Sequence, residues 1–282
     1  VKTAENFGSQ GEKPSHPELL DWLASDFVAH GWDIKHAIKQ MVMSNTYRQS
    51  SFCPEELREL DPENKYLARS PSYRWSAEMI RDNALKASGL LVQDIGGPSV
   101  KPYQPEGLWK EVLMASKELA KYENDTGKGL YRRSLYTFSR RFAPNPFMIN
   151  FDATPREICT IRRNVTSTPL QALTLLNDPQ FFEASRVLSE QVQKEHPDSI
   201  DQQIQLAFRK STGLTPSEKQ IDILKDQYNK SLEKFLETPK LSDSILSVGE
   251  RPFDKLLAKN ETAALTLVVS TIFNFDETYT KR

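Results

Sequence analysis

Cysteine is almost missing from these 282 residues: there are two, Cys53 and Cys159, with no CxxC or CxxCH spacing. That excludes a disulfide-built scaffold and leaves no pattern for a zinc ribbon or a covalently attached haem. Histidine is sparse too. His16, His30, His36 and His196 include no HExxH motif and no two histidines four apart, so no metal is expected in this chain. Positive charge is not in surplus: 37 Lys and Arg against 38 Asp and Glu give a net charge of -1. A protein that grips a phosphate backbone needs such a surplus, so nucleic acid is not an expected partner. Long hydrophobic runs are lacking as well. The longest uncharged apolar stretch, Thr262 to Phe275, falls short of the roughly 20 residues a membrane-spanning helix requires. Gly96-Gly97-Pro98 lacks the lysine and context of a phosphate loop, and no GxSxG offers a serine nucleophile. Ser231 to Lys234 matches SxxK only as a chance hit on a charged helical stretch. The opening from Val1 has no basic start and no apolar signal run, and it reads as a piece of a longer chain.

What is present is a hydrophobic fraction of 38% and a run of helix signals. Ser15 with Glu18 reads as a capping box ahead of Leu19, Leu20, Leu23 and Phe27, and Gly31 supplies a left-handed stop. Asp33 caps a second helix with Ile34, Ala37, Ile38, Met41 and Val42 on one face, so residues 15–48 read as a helical hairpin. Ser50 to Asn64 reads as a loop with one helical turn. Ser76 starts a helix in which Met79, Ile80, Ala84 and Leu91 supply apolar contacts while Glu78 and Asp82 share a face. The glycines and prolines of IGGPSVKPYQPEG forbid regular structure across 95–107. Residues 131–142 alternate loosely and read as a strand or strand pair. Thr154-Pro155, Thr168-Pro169, Asp178-Pro179 and Thr215-Pro216 each place a capping residue before a proline suited to the first helical turn. Ile221, Leu224, Tyr228, Leu232 and Phe235 form an apolar stripe, a weak polar spacer covers 238–251, and a last helix runs from Asn260 to about Asn274. The expected fold is mainly α, with a small β pair near 131–142 and long irregular loops. It is read as one domain over 1–282 with a helical sub-domain at 198–260.

Seven phrases carry a resemblance: PSHPELLDWLASDFV (14–28), MVMSNTYRQSS (41–51), SAEMIRDNALKASGLL (76–91), GGPSVKPYQPEGLW (96–109), YRRSLYTFSRR (131–141), TSTPLQALTLLNDPQFFEASR (166–186) and FNFDETYTKR (273–282). Together they resemble the C-terminal domain of unknown function 1553 of planctomycete-type proteins. The resemblance implies export, upstream domains as partners within the same chain, and haem c in a cytochrome-like portion that lies outside these residues. It implies no activity, and no cofactor is expected in this chain itself.

The residues themselves single out arginine. Between positions 132 and 163 there are Arg132, Arg133, Arg140, Arg141, Arg156, Arg162 and Arg163, no lysine, and only Asp152 and Glu157 as acids. A guanidinium is a rigid fork suited to carboxylate, phosphate or sulfate and tolerates partial burial. One reading ties these arginines to internal acids, with Glu78, Asp82 and Asp152 as the network candidates. Another lets some of them hold an anionic ligand such as a sulfated or uronic polysaccharide, with Tyr103 and Trp109 walling a sugar site. The leading expectation is therefore a non-haem module of a larger exported protein, structural or binding an anionic ligand. A polysaccharide-acting enzyme in which a carboxylate such as Glu78, Asp82 or Asp152 transfers the proton is the first alternative, and a partner-docking module is the second.

Overall fold

Where a capping residue precedes proline, the chain usually turns helical as the signal demands. The computed structural model describes residues 3–6, 8–105, 107–109, 121–141 and 143–281. Glu106 of the irregular loop and Phe142 of the expected strand lie outside the described residues. Contacts divide the chain into two units, Val1–Arg74 with Thr280–Arg282, and Trp75–Tyr279.

The first unit holds α1 (Pro17–Ala29), α2 (Ile34–Met43), α3 (Asn45–Arg48) and α4 (Glu55–Leu60). The helical hairpin forms as expected, with one change at its start. His16 is the N-cap and makes no side-chain cap bond, while the Ser15 hydroxyl meets His16 Nδ1 at 3.0 Å instead of capping the helix. Asp33 caps α2 by accepting from the backbone N–H groups of Lys35 and His36. Neither helix buries a residue fully, and Leu19, Leu20, Ile34, Ile38 and Met41 of their apolar faces are exposed. Two short strands, β1 (Tyr73–Arg74) and β2 (Thr280–Lys281), pair antiparallel within this unit.

The second unit is built on α5 (Ala77–Ala87), α6 (Pro146–Asn150), α7 (Pro169–Asn177), α8 (Pro179–Glu195), α9 (Ile200–Thr212), α10 (Glu218–Glu237), α11 (Pro239–Leu246), α12 (Lys259–Phe273) and α13 (Asp276–Tyr279). The sequence of α12 is apolar all round, which forces it to the centre. Ala263, Ala264, Leu265, Val268, Val269 and Ile272 have no exposed surface. Its main neighbours are α8 and α10, with α9 and α11 completing the surround. Ala184, Ser185 and Ser189 keep α8 slim, and the two serine hydroxyls return to carbonyls one turn back. Thr262 Oγ1 donates to Gln193 Oε1 at 2.7 Å, a satisfied polar link between α12 and α8.

The mainly helical expectation holds, and among the described residues the one sheet is a small antiparallel pair. That pair lies at 73–74 and 280–281 rather than near 131–142. The latter stretch forms two 3₁₀ turns, Gly127–Tyr131 and Ser134–Tyr136, with isolated parallel bridges from Arg132 to Val92 and from Thr137 to Val100. A ladder cannot extend because Asp82 Oδ1 accepts the Ser134 N–H and Arg81 takes the carbonyls of Leu130 and Arg132. Met79, expected in the core, is exposed while Ile80 and Ala84 are buried. Thr154-Pro155 opens no helix, since Arg156 sits at φ +62° and breaks the turn that would follow. Thr215-Pro216 is two residues early, because Ser217 is the cap and closes a capping box with Gln220. The supposed spacer at 238–251 contains α11, anchored by the buried Ser242 hydroxyl on Asn260 and by Leu246.

Two fully buried arginines organise this unit. Arg81 of α5 donates to the carbonyls of Arg132 (2.9 Å) and Leu130 (2.6 Å), to Ser134 Oγ (3.1 Å) and to Gln180 Oε1 (2.8 Å) of α8. Burial pulls its pKa down to about 10, against the charges of Asp82, Asp178 and Tyr122, so it remains a cation near neutral pH. Arg186 of α8 bonds Glu190 and the carbonyl of Arg251, with Glu183 4.0 Å away. Removing a buried cation leaves its acceptors with neither water nor a donor. Arg81→Met is therefore expected to destabilise the protein by about 3–5 kcal/mol in urea unfolding. A loss under about 1 kcal/mol would show that these carbonyls find other partners.

Candidate ligand-binding cleft

The seven arginines do not act as a group. Arg132 is buried, donates to the carbonyls of Pro98 (2.9 Å), Asp94 (3.2 Å) and Gly96, and lies over the Tyr136 ring at 3.9 Å. It braces the Gly96-Gly97 turn, whose Gly96 N–H in turn donates to the Tyr136 hydroxyl at 2.8 Å. Arg140 lies over Trp109 at 4.3 Å. Trp109 is itself buried and packs on Tyr122 and Phe138. Arg141 pairs with Glu157 at 2.7 Å on the surface. Arg163 holds Glu78 with two bonds of 2.6 and 3.1 Å. Arg133, Arg156 and Arg162 are exposed, and their side chains have no hydrogen bond or ion pair among the described residues.

Of the three acids expected to anchor this network, Glu78 meets one of the seven arginines. Asp82 caps the Ser134–Tyr136 turn and lies 3.9 Å from Arg81. Asp152 accepts from the Thr166 N–H and hydroxyl, both at 2.9 Å. Sequence reasoning missed Arg81, Arg186 and Glu183. The spacing of Glu183, Arg186 and Glu190 at three and four on an otherwise apolar helix face was the available signal.

Glu78 and Arg156 share a cleft of about 220 Å³. One wall is Ser134, Thr137, Phe138 and Ser139 of the stretch that Arg81 anchors, and the opposite wall is Asn145, Met148 and Ile149. Asn145 caps α6 through the Met148 N–H, which sets these side chains at the start of one short helix. The lining stretch 153–156 is bounded by Asp152 at φ +59° and ends on Arg156 at φ +62°. Two non-glycine residues held left-handed within five positions store backbone strain, and such strain collects at ligand sites. The lining combines hydroxyl and amide groups with apolar faces and the guanidinium of Arg156, which has no counter-ion among the described residues. That set can bind a small anion-bearing polar molecule.

A larger cleft of about 530 Å³ lies on the other side of α6, against Tyr103, Phe147, Asn150, Leu170, Leu173 and Asn177, and Asn145 lines both clefts. Tyr103 presents its ring there, but its hydroxyl is engaged inward. It donates to Glu183 Oε2 at 3.2 Å and accepts from the Glu250 N–H at 2.8 Å. Burial, then the Glu183 charge, push this phenol up to about 12. Glu183 also accepts from the Tyr131 hydroxyl and the Arg251 N–H, both at 2.8 Å. Gly249 has to be glycine beside it: its φ is +91°, and a Cβ would fall on the Glu183 carboxyl group. Both cysteines are free thiols, Cys53 half-buried and Cys159 exposed.

Burial raises the Glu78 carboxyl, but the bonds from Arg163, from its own N–H and from Ser76, together with the guanidinium charge, outweigh it and hold the group below its usual value of 4.5. A depressed carboxyl stabilises the fold fully above its unfolded value, and that stabilisation drains as pH falls through the folded one. The difference in melting temperature between the protein and its Glu78→Gln variant is expected to be steady near neutrality and to shrink below about pH 4.5. A difference that does not change with pH would place the stabilisation elsewhere.

No curated protein and no solved structure matches this chain. One family model does, over residues 1–228, so that 273–282 lies beyond the match. Its description is protein of unknown function, and the span takes in the hairpin, both clefts and the whole arginine-rich stretch. The chain belongs to the DUF1553 family of proteins of unknown function.

Proposed function

We propose that this chain is the non-haem, ligand-holding module of a larger exported protein, and that its 220 Å³ cleft takes an anionic sugar unit, uronic or sulfated. The observation that carries this is Arg156. It is exposed on the cleft rim, strained into the left-handed region, and has no counter-ion among the described residues. A guanidinium in that position offers a fork to a carboxylate or sulfate. Ser139, Thr154 and Asn145 supply hydroxyl and amide groups for sugar hydroxyls, and Phe138 gives an apolar face for the ring. Trp109, under Arg140, lends rigidity to this wall rather than a stacking surface. Arg163 shapes the floor through Glu78. Export and upstream partner domains are what the family resemblance implies, and they agree with a module that holds a polymer for other parts of the same chain.

Binding of the Arg156→Ala and Arg162→Ala variants to immobilised uronic and sulfated oligosaccharides separates a site from general charge attraction. Both residues are exposed, but Arg162 does not line the cleft. Arg156→Ala is expected to lose about tenfold or more in affinity, equivalent to one charge-assisted bond, while Arg162→Ala stays close to the parent protein. Equal losses in the two variants, or retention of neither sugar class by the unaltered protein, would remove the anionic-sugar reading.

A further inference from the structure

The geometry points to a divalent transition-metal site in the helical hairpin, formed by Asp26, His30 and His36. It lies in the first unit and stands apart from the cleft proposal. Counting histidine pairs alone left it unseen, because the helix-face pair is a carboxylate and a histidine. Asp26 and His30 lie four apart at the end of α1, and His36 comes from the first turn of α2. One ligand atom from each residue can be chosen so that all three lie within 4.8 Å of one another.

The spacing suits an ion of the zinc type. Ligand bonds of about 2.0–2.1 Å in a tetrahedral site put neighbouring ligand atoms about 3.3 Å apart. Asp26 Oδ1 is 3.3 Å from His30 Nδ1, and Asp26 Oδ2 is 3.2 Å from His36 Nε2. Each histidine nitrogen therefore already stands at that spacing from one oxygen of the carboxylate, His30 from Oδ1 and His36 from Oδ2. The imidazole rings stack at 3.9 Å with 16° between their planes, an arrangement that two imidazolium cations would oppose and two neutral, metal-ligating rings permit. His30 Nδ1 now faces the Asp26 carbonyl at 2.9 Å, so ligation through that nitrogen exchanges this hydrogen bond for the metal.

The rest of the hairpin fixes the ligands in place. Gly31 at φ +65° and Trp32 at φ +63° turn the chain so that His30 folds onto His36. Phe27 and Trp32 pack edge to face at 5.3 Å across the turn, and Asp33 accepts the His36 N–H at 3.1 Å. The Asp26 side chain is mostly shielded at 17% exposure, while His30 is open at 48%, which leaves a side for water or another ligand. Two imidazoles and one carboxylate select zinc, cobalt, nickel or copper over calcium and magnesium, which prefer all-oxygen sets.

Titration of the 282-residue chain with Co²⁺, followed by its visible d–d absorption and by competition with Zn²⁺, tests this. One equivalent is expected to bind. Asp26→Asn, His30→Ala and His36→Ala should each weaken binding about tenfold or more, whereas His16→Ala and His196→Ala leave it unchanged. Far-ultraviolet circular dichroism of each variant shows whether the helices persist, so that loss of binding is read only against retained fold. Because the ligands are at the surface, the double substitution His30→Gln with His36→Gln provides a second variant that preserves side-chain bulk. Absence of a stoichiometric Co²⁺ or Zn²⁺ complex, or binding that survives all of the ligand substitutions, would overturn the proposal.

Discussion

The guanidinium of Arg81 is the constraint on which the second unit depends. It is buried with a positive charge, a state tolerable only where oxygen atoms surround it. The chain supplies them by bending residues 130–134 around the arginine, so that two carbonyls and a serine hydroxyl point inward. That bend denies the stretch a β ladder and creates the two 3₁₀ turns. The same turns place Ser134, Thr137 and Phe138 along the cleft wall. One buried side chain thus decides a local conformation, joins α5 to α8 through Gln180, and fixes one side of the candidate site.

A second polar centre completes the scaffold. Glu183 has no exposed surface and accepts from two tyrosine hydroxyls and a backbone N–H, while Arg186 one turn on bonds Glu190 and a carbonyl of the 249–251 loop. Burial pushes Glu190 upward, and the Arg186 and Arg251 charges oppose it. Such a network contributes little net stability compared with apolar packing of the same volume, but each member demands its partners. Its consequence is geometric. Tyr103 is drawn in from the irregular 95–105 loop and its ring is left facing the larger cleft. A loop without regular hydrogen bonding gains a fixed position from two bonds at one hydroxyl.

The fold was legible where local chemistry decides it. Asp33, Thr168 and Asp178 cap the helices their positions announced, and the stripe from Leu224 to Phe235 faces the core. It was illegible where distant groups compete for the backbone. Tyr131 to Phe138 has the composition of a strand, but Arg81 and Asp82, some fifty residues away, take backbone groups that a ladder would need. Thr154-Pro155 has the composition of a helix start, and Arg156 in the left-handed region ends it at once. The candidate site was half visible for a similar reason. Choosing Arg over Lys flagged the right segment, but which arginine is free depends on tertiary partners: Arg132 on loop carbonyls, Arg140 on Trp109, Arg163 on Glu78. The hairpin was legible from Gly31 and Asp33, but that its turn brings His36 back to Asp26 and His30 shows only in how the two helices lie together.

The proposed reading of the smaller cleft as a binding site rather than a site of proton transfer rests on its distribution of charge. A general acid acting near neutral pH needs a carboxyl whose protonated form is favoured, as burial alone would provide. Glu78 is partly buried, yet Arg163 grips it with two bonds and holds it the other way. The pair also limits what an incoming anion can do. Displacing Glu78 from Arg163 would leave a half-buried carboxylate beside the guest's own negative charge, so Arg163 is closed to it. Arg156 carries no such penalty, since it stands at the rim without a partner among the described residues. On the proposed reading, anion recognition would therefore fall to the Arg156 guanidinium, with the Glu78–Arg163 pair staying intact. On the proposed sugar-binding reading, selectivity would come from how well hydroxyl groups on a ring meet Ser139, Thr154 and Asn145, because a single fork distinguishes carboxylate from sulfate poorly.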